Sequence, residues 1–124
     1  DLESIGLGIS GFKGKVSLVF GEPLKGDYAD VEEVAADLDF AIANNYQLKS
    51  TNLLAYKGKY GDAALSKLTS YLEKSGREVP AITDKLERRF NERLNECLPK
   101  DRECLQNMYA NPVVRYLELT GESE

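Results

Sequence analysis

The spacing of apolar residues changes character along this chain, from a short period near the start to a helical one after residue 30. Val16-Ser17-Leu18-Val19-Phe20 is β-branched and aromatic and lies between Gly14 and Gly21-Glu22-Pro23. That pattern predicts a mostly buried strand. From residue 31 the period lengthens: Val31, Val34, Ala35, Leu38, Ala41, Ile42 and Asn45 share one face of a helix, with Glu32, Glu33, Asp37 and Asn44 off it. Asp30 and Glu33 supply an N-cap and a third-position acid. Ala36, Phe40 and Ala43 broaden the stripe and predict a helix covered on more than one side. Asn44-Asn45 offers a stop, because asparagine tolerates the left-handed conformation.

Tyr46 to Gly61 reads as a turn-rich connector holding a short helix around Leu53, Leu54, Ala55 and Tyr56, capped by Ser50 or Thr51. Asp62 caps the next helix, which aligns Leu65, Leu68 and Leu72 and closes at Gly76. Val79-Pro80 breaks the chain. Thr83 opens an amphipathic helix to about Leu98, with Leu86, Phe90, Leu94, Cys97 and Leu98 inward and Lys85, Glu87, Arg88, Glu92 and Glu96 outward. Leu86 and Phe90 are expected to be well buried. Pro99 restarts a helix carrying Leu105, Met108 and Tyr109, and Asn111-Pro112 caps and opens a last short helix with Val113, Val114 and Leu117. Met108 is read as core filler, and Gly121 ends ordered structure.

The expected fold class is therefore α+β and predominantly helical: one or two short N-terminal strands followed by five or six helices. Residues 1–24 form a glycine-rich lead-in and strand and residues 30–120 a helical region, within a single domain or C-terminal fragment spanning residues 1–124. No repeat or low-complexity segment interrupts it. A lone strand cannot satisfy its own backbone groups. Its partner is expected to be the Leu7–Ile9 stretch, a second copy of the chain, or a sheet outside the sequence. The chain begins at Asp1 without Met, which predicts a segment of something longer.

Composition narrows the function classes. The chain has 124 residues, 42% hydrophobic and 30% charged, as in an ordinary soluble domain. Lys+Arg 16 against Asp+Glu 21 gives a net charge of -5, which opposes binding to nucleic acid, and no nucleic-acid partner is expected. No apolar run approaches the roughly 20 residues of a membrane span, and the start does not resemble a signal peptide, so a cytoplasmic location is expected.

Histidine is absent, which excludes Ser-His-Asp and Cys-His nucleophiles, histidine metal sites and imidazole bases within the sequence. Catalytic, cofactor-binding and metal sites are all expected to be none. Cys97 and Cys104 are too few for a disulfide scaffold or a four-ligand zinc site, and on one continuous helix they would stand about 10 Å apart. Both are read as buried structural cysteines. Gly6, Gly8 and Gly11 spell G-x-G-x-x-G, but the motif precedes the strand, whereas a dinucleotide fold needs it after a strand and opening a helix. A kinase loop is excluded by Lys13 where valine is required and by the lack of H-R-D and D-F-G. These glycines are read as turns. The remaining candidate is the basic set Lys85, Arg88, Arg89 and Arg93, a contact for anionic lipid or phosphate, weighed against a solvated face. Arg88 with Glu92 is a favourable i, i+4 pair, and Arg89 with Arg93 a repulsive one.

The run Gly11-Phe12-Lys13-Gly14-Lys15-Val16-Ser17-Leu18-Val19-Phe20-Gly21-Glu22-Pro23-Leu24, followed by a capped helix, resembles the region after the catalytic motifs of bacterial glycerophospholipid acyltransferases, which carry G-K-V-x-V-x-F-G-E-P-[IL] there. Asn45-Tyr46-Gln47-Leu48 with Thr51-Asn52 and Ala55-Tyr56, and Met108-Tyr109-Ala110-Asn111-Pro112-Val113, resemble the C-terminal region of one subgroup. The resemblance spans about residues 4 to 118. The family's H-x-x-x-x-D and F-P-E-G-x-[RS] motifs are absent, so no family active-site residue carries over. The resemblance implies a non-catalytic C-terminal region of a membrane-associated acyltransferase of phospholipid biosynthesis. Its implied partner is the catalytic half, at the inner face of the bacterial membrane, with peripheral membrane contact and homo-oligomerisation as further expectations. The alternative is a self-standing helical protein-interaction module.

Overall fold

A computed structural model describes residues 1–11, 14–24 and 26–121. They form six helices: α1 (Leu2–Ser10), α2 (Val31–Asn45), α3 (Ser50–Tyr60), α4 (Asp62–Lys74), α5 (Asp84–Glu96) and α6 (Pro99–Thr120). Among the described residues there is no strand, so the expected α+β class is corrected to an all-helical one. Val16–Phe20 does run outside any helix, but a strand exists only where its backbone meets another strand's ladder. The stretch expected to pair with it, Leu7–Ile9, lies inside α1. There the Asp1 carboxylate caps the helix, accepting from the Glu3 and Ser4 amides at 2.7 and 3.2 Å. Gly6 and Gly8 are thus helical residues, not turns, at a propensity cost of about 1 kcal/mol each. No residue of α1 is buried. Phe12 and Lys13 lie outside the described residues.

The core is organised around α3 and α6. Asn52, Leu53, Leu54, Ala55 and Tyr56 are consecutive and all buried, so this part of α3 is covered on every side. One apolar cluster joins Leu48, Leu53 and Tyr56 to Leu68 and Leu72 of α4 and to Val113, Tyr116 and Leu117 of α6. A second joins Leu54 and Ala55 to Phe90 of α5 and Ala110 of α6. Each fully buried leucine or valine contributes about 1.5 to 3 kcal/mol. The connector expected between residues 46 and 61 is therefore the centre of the fold. Its helix begins at Ser50 with Lys49 as N-cap residue, and the Asn52 side chain accepts from the Lys49 amide at 2.7 Å. Gly61, at φ 94°, ends α3 and immediately opens α4; a side chain there would be strained, so glycine makes the corner. The cap of α4 is thus Gly61 and not Asp62.

Five further expectations are corrected. The break at Asn111-Pro112 does not occur, and α6 continues through Pro112 to Thr120. Proline removes the amide that the Met108 carbonyl would accept from, a local loss that packing against α3 on both sides of Pro112 outweighs. The stripe of α2 is not covered on more than one side, since Ala43 is its one buried residue and Val31, Leu38, Phe40 and Ile42 are exposed. Helix α2 does stop at Asn45, but not through a left-handed asparagine: Asn45 is helical, its side chain donates to the Ala41 carbonyl, and Tyr46 leaves in an extended conformation. The cysteines are not buried: Cys97 is half-buried at the end of α5 and Cys104 is exposed on α6. Met108 is likewise exposed, not core filler.

Candidate functional site

Two surfaces stand out, and they adjoin. The first is the extended arm of residues 14–24. Val16, Leu18 and Phe20 are 80%, 79% and 86% exposed. None of the three makes a backbone hydrogen bond among the described residues. The arm is nonetheless positioned. Val16, Ser17, Val19 and Gly21 border one groove with Leu38, Ala41, Ile42 and Asn45 of α2. A Cβ on Gly21 would stand 3.2 Å from Asn45 Nδ2, so the backbone there lies close against that side chain of α2. The Lys49 ammonium donates to Ser17 Oγ at 2.9 Å and fixes the arm to the entrance of α3.

The second surface is a cleft of about 940 Å³ where the arm, the end of α2, the start of α3 and the flank of α5 meet. Lys15, Lys49, Arg77 and Arg93 line it, together with Glu78, Ser50, Thr51 and Tyr109. Arg77 donates to the Asn44 carbonyl and, at 2.8 Å, to the Tyr46 carbonyl, and its guanidinium lies 4.8 Å over the Tyr116 ring. Those contacts tie the end of α2 to α6. Arg93 stands 5.9 Å over the Tyr109 ring, which in turn meets Phe90 edge-on at 5.9 Å.

The basic set read from the sequence is distributed along α5. Lys85, Arg89 and Arg93 follow each other at four-residue intervals on one edge, with Arg88 beside them, and all four are exposed. Of these, Arg93 lines the cleft and the others do not. Arg88 and Glu92 form no ion pair. The ion pair that α5 does make is Lys57 Nζ to Glu87 at 2.9 Å, with Asp62 at 3.7 Å. The hydrogen bond and charge of Glu87 raise the Lys57 ammonium above its usual value of 10.5. Tyr28 donates to Asp37 at 2.8 Å, and that bond raises its phenol above 10.0. Burial raises Tyr56, with the neighbouring Tyr60 adding a smaller effect.

Lys15, Lys49 and Arg77 were not singled out by the sequence. They lie on three separate segments, and tertiary structure alone brings them to one cleft. Among the described residues no group of three or more His, Cys, Asp or Glu side chains could hold a metal, and no helix is long and apolar enough to cross a membrane. Comparison with family models, curated proteins and solved structures finds no match for this chain.

Proposed function

We propose that this chain is the non-catalytic C-terminal region of a membrane-associated bacterial glycerophospholipid acyltransferase and that it packs on the catalytic half of that enzyme in the cytoplasm. The observation that carries the reading is the arm. An apolar, β-branched segment with open backbone edges is a template for strand addition. Its inward anchor on α2 and Lys49 presents Leu18 and Phe20 outward. Docked at the edge of a parent sheet, the arm would gain a ladder and bury those side chains. With no histidine in the chain, the acyl-transfer base would reside on the partner.

The coding sequence upstream of Asp1 tests the first half of this reading. An H-x-x-x-x-D and an F-P-E-G motif within the same frame support it; a start codon at the boundary overturns it. Hydrogen exchange tests the second half, because the amides of residues 16–20 should exchange rapidly in the chain alone and be protected by the catalytic half. A second reading, a self-standing helical interaction module, is favoured by one feature: the two apolar clusters of α3 to α6 form a core without help from the arm.

A further inference from the structure

The chain as a whole is acidic, at -5, yet Lys15, Lys49, Arg77 and Arg93 face one cleft that contains the single carboxylate Glu78. Among the described residues none of these four cations forms an ion pair, in contrast to Lys57 and Arg115, which do. The partners of Lys49, Arg77 and Arg93 are neutral. Lys49 Nζ donates to Ser17 Oγ at 2.9 Å and to Gln47 Oε1 at 3.4 Å, Arg77 is held by two backbone carbonyls, and Arg93 lies over a phenol ring. Such contacts orient a cation without cancelling its charge. The same cleft receives the start of α3, whose first turn has no acidic residue. The amides of Ser50 and Thr51 there have no hydrogen-bond partner among the described residues. Four uncancelled cations together with the positive end of a helix make a strongly anion-seeking surface on an anionic protein.

The geometry points to this cleft as a binding site for a phosphate ester. The Lys49 ammonium, the Arg93 guanidinium and the Ser50 and Thr51 amides meet the phosphate oxygens, while Arg77 holds the end of α2 in position and Lys15 adds charge from the arm. The site uses residues of this chain alone and stands whether or not the arm docks on a catalytic half. A soluble phosphate monoester and a phospholipid headgroup carry the same chemistry.

The test is an amide and Arg Nε NMR titration of the full chain with glycerol 3-phosphate, beside flotation with phosphatidylcholine vesicles containing phosphatidic acid. Saturable shifts centred on Lys49, Ser50, Thr51 and Arg93 are expected, and Lys49→Gln or Arg93→Gln should each weaken binding about tenfold with Tm unchanged. Lys67→Gln on α4 serves as the control and should bind as the parent does. Binding to the soluble ester assigns a metabolite-type ligand. Binding to the vesicles alone, lost in the same two variants, assigns a lipid headgroup. Shifts that do not saturate, or that persist in the Lys49→Gln, Arg93→Gln double variant, overturn the site.

Discussion

Asn52 Nδ2 donates to the Tyr109 carbonyl at 2.8 Å, joining the first turn of α3 to the middle of α6 across 57 positions of sequence. The carbonyl it reaches lies three residues before Pro112, in the turn that proline deprives of a donor. Among the described residues Asn52 is the one buried amide or charged side chain, and both ends of its amide are used, since its oxygen accepts from the Lys49 amide at 2.7 Å. Replacing it with alanine removes both bonds and leaves two backbone groups short of partners. Asn52→Ala should therefore cost about 2 kcal/mol in urea unfolding. A cost below about 0.5 kcal/mol, the level of an ordinary surface change, would show that water replaces the amide without loss.

Pro112 sits inside a helix of 22 residues. Pro112→Ala restores the amide to the Met108 carbonyl and relieves the ring's crowding of that turn. A gain of about 1 to 3 kcal/mol is expected, read as a higher Tm. An unchanged or lower Tm would mean that α3 and α6 are fitted to each other with the proline ring in place.

Leu86 and Phe90 separate cleanly. Phe90 is 5% exposed within the second apolar cluster, whereas Leu86 is 37% exposed at the rim of the cleft. Phe90→Ala should cost about 3 to 5 kcal/mol, and Leu86→Ala about 1. Equal costs for the two would place the α5 face one residue round from where it lies here.

Lys57 makes stability depend on pH in the alkaline range. Glu87 raises its folded-state value above 10.5, so the ion pair's contribution is fully present below that value and is lost as pH rises through the higher folded-state one. The stability difference between the parent chain and Lys57→Met should be constant from pH 7 to about pH 9.5 and shrink as the pH rises through the raised folded-state value of Lys57. A difference that grows with pH would have the opposite sign and exclude the pair as its source.

Val16 and Phe20 are so exposed that the helical core does not sense them. Val16→Ser and Phe20→Ser should each leave Tm within the change of an ordinary surface substitution, about 0.5 kcal/mol. Association with a catalytic half should fall together with the protection of residues 16–20 against exchange. A large drop in Tm would mean that the arm packs on its own helices more closely than its exposure indicates.

Helix ends were the most legible features in the sequence because their chemistry is local. Asp30 accepts from the Glu33 amide at 3.0 Å and Thr83 from the Leu86 amide at 3.2 Å, and Gly76 and Gly121 adopt positive φ at helix ends, all as their residue types predict. Features set by distant neighbours were not legible. The β-branched run 16–20 reads the same whether or not a ladder exists. Asn52 to Tyr56 shows no apolar stripe because α3 is surrounded, and a surrounded helix has no polar face to mark its period. Pro112 and the pair Gly6 and Gly8 signal breaks that capping and packing override. The cleft needed Lys15, Lys49, Arg77 and Arg93 to converge from three segments and α5, and of that convergence the sequence marked Arg93 alone.

Helix α6 places Ala110 in one apolar cluster and Val113, Tyr116 and Leu117 in the other, within eight residues of a single continuous helix. The two clusters are consequently one cooperative unit. Heating should release them together in a single calorimetric transition, with calorimetric and van't Hoff enthalpies equal. The arm, which shares no side chain with either cluster, should contribute almost none of that heat. A scissile bond introduced between Ala110 and Val113 would sever both clusters at once, whereas proteolysis anywhere before residue 24 would leave the melting curve where it was.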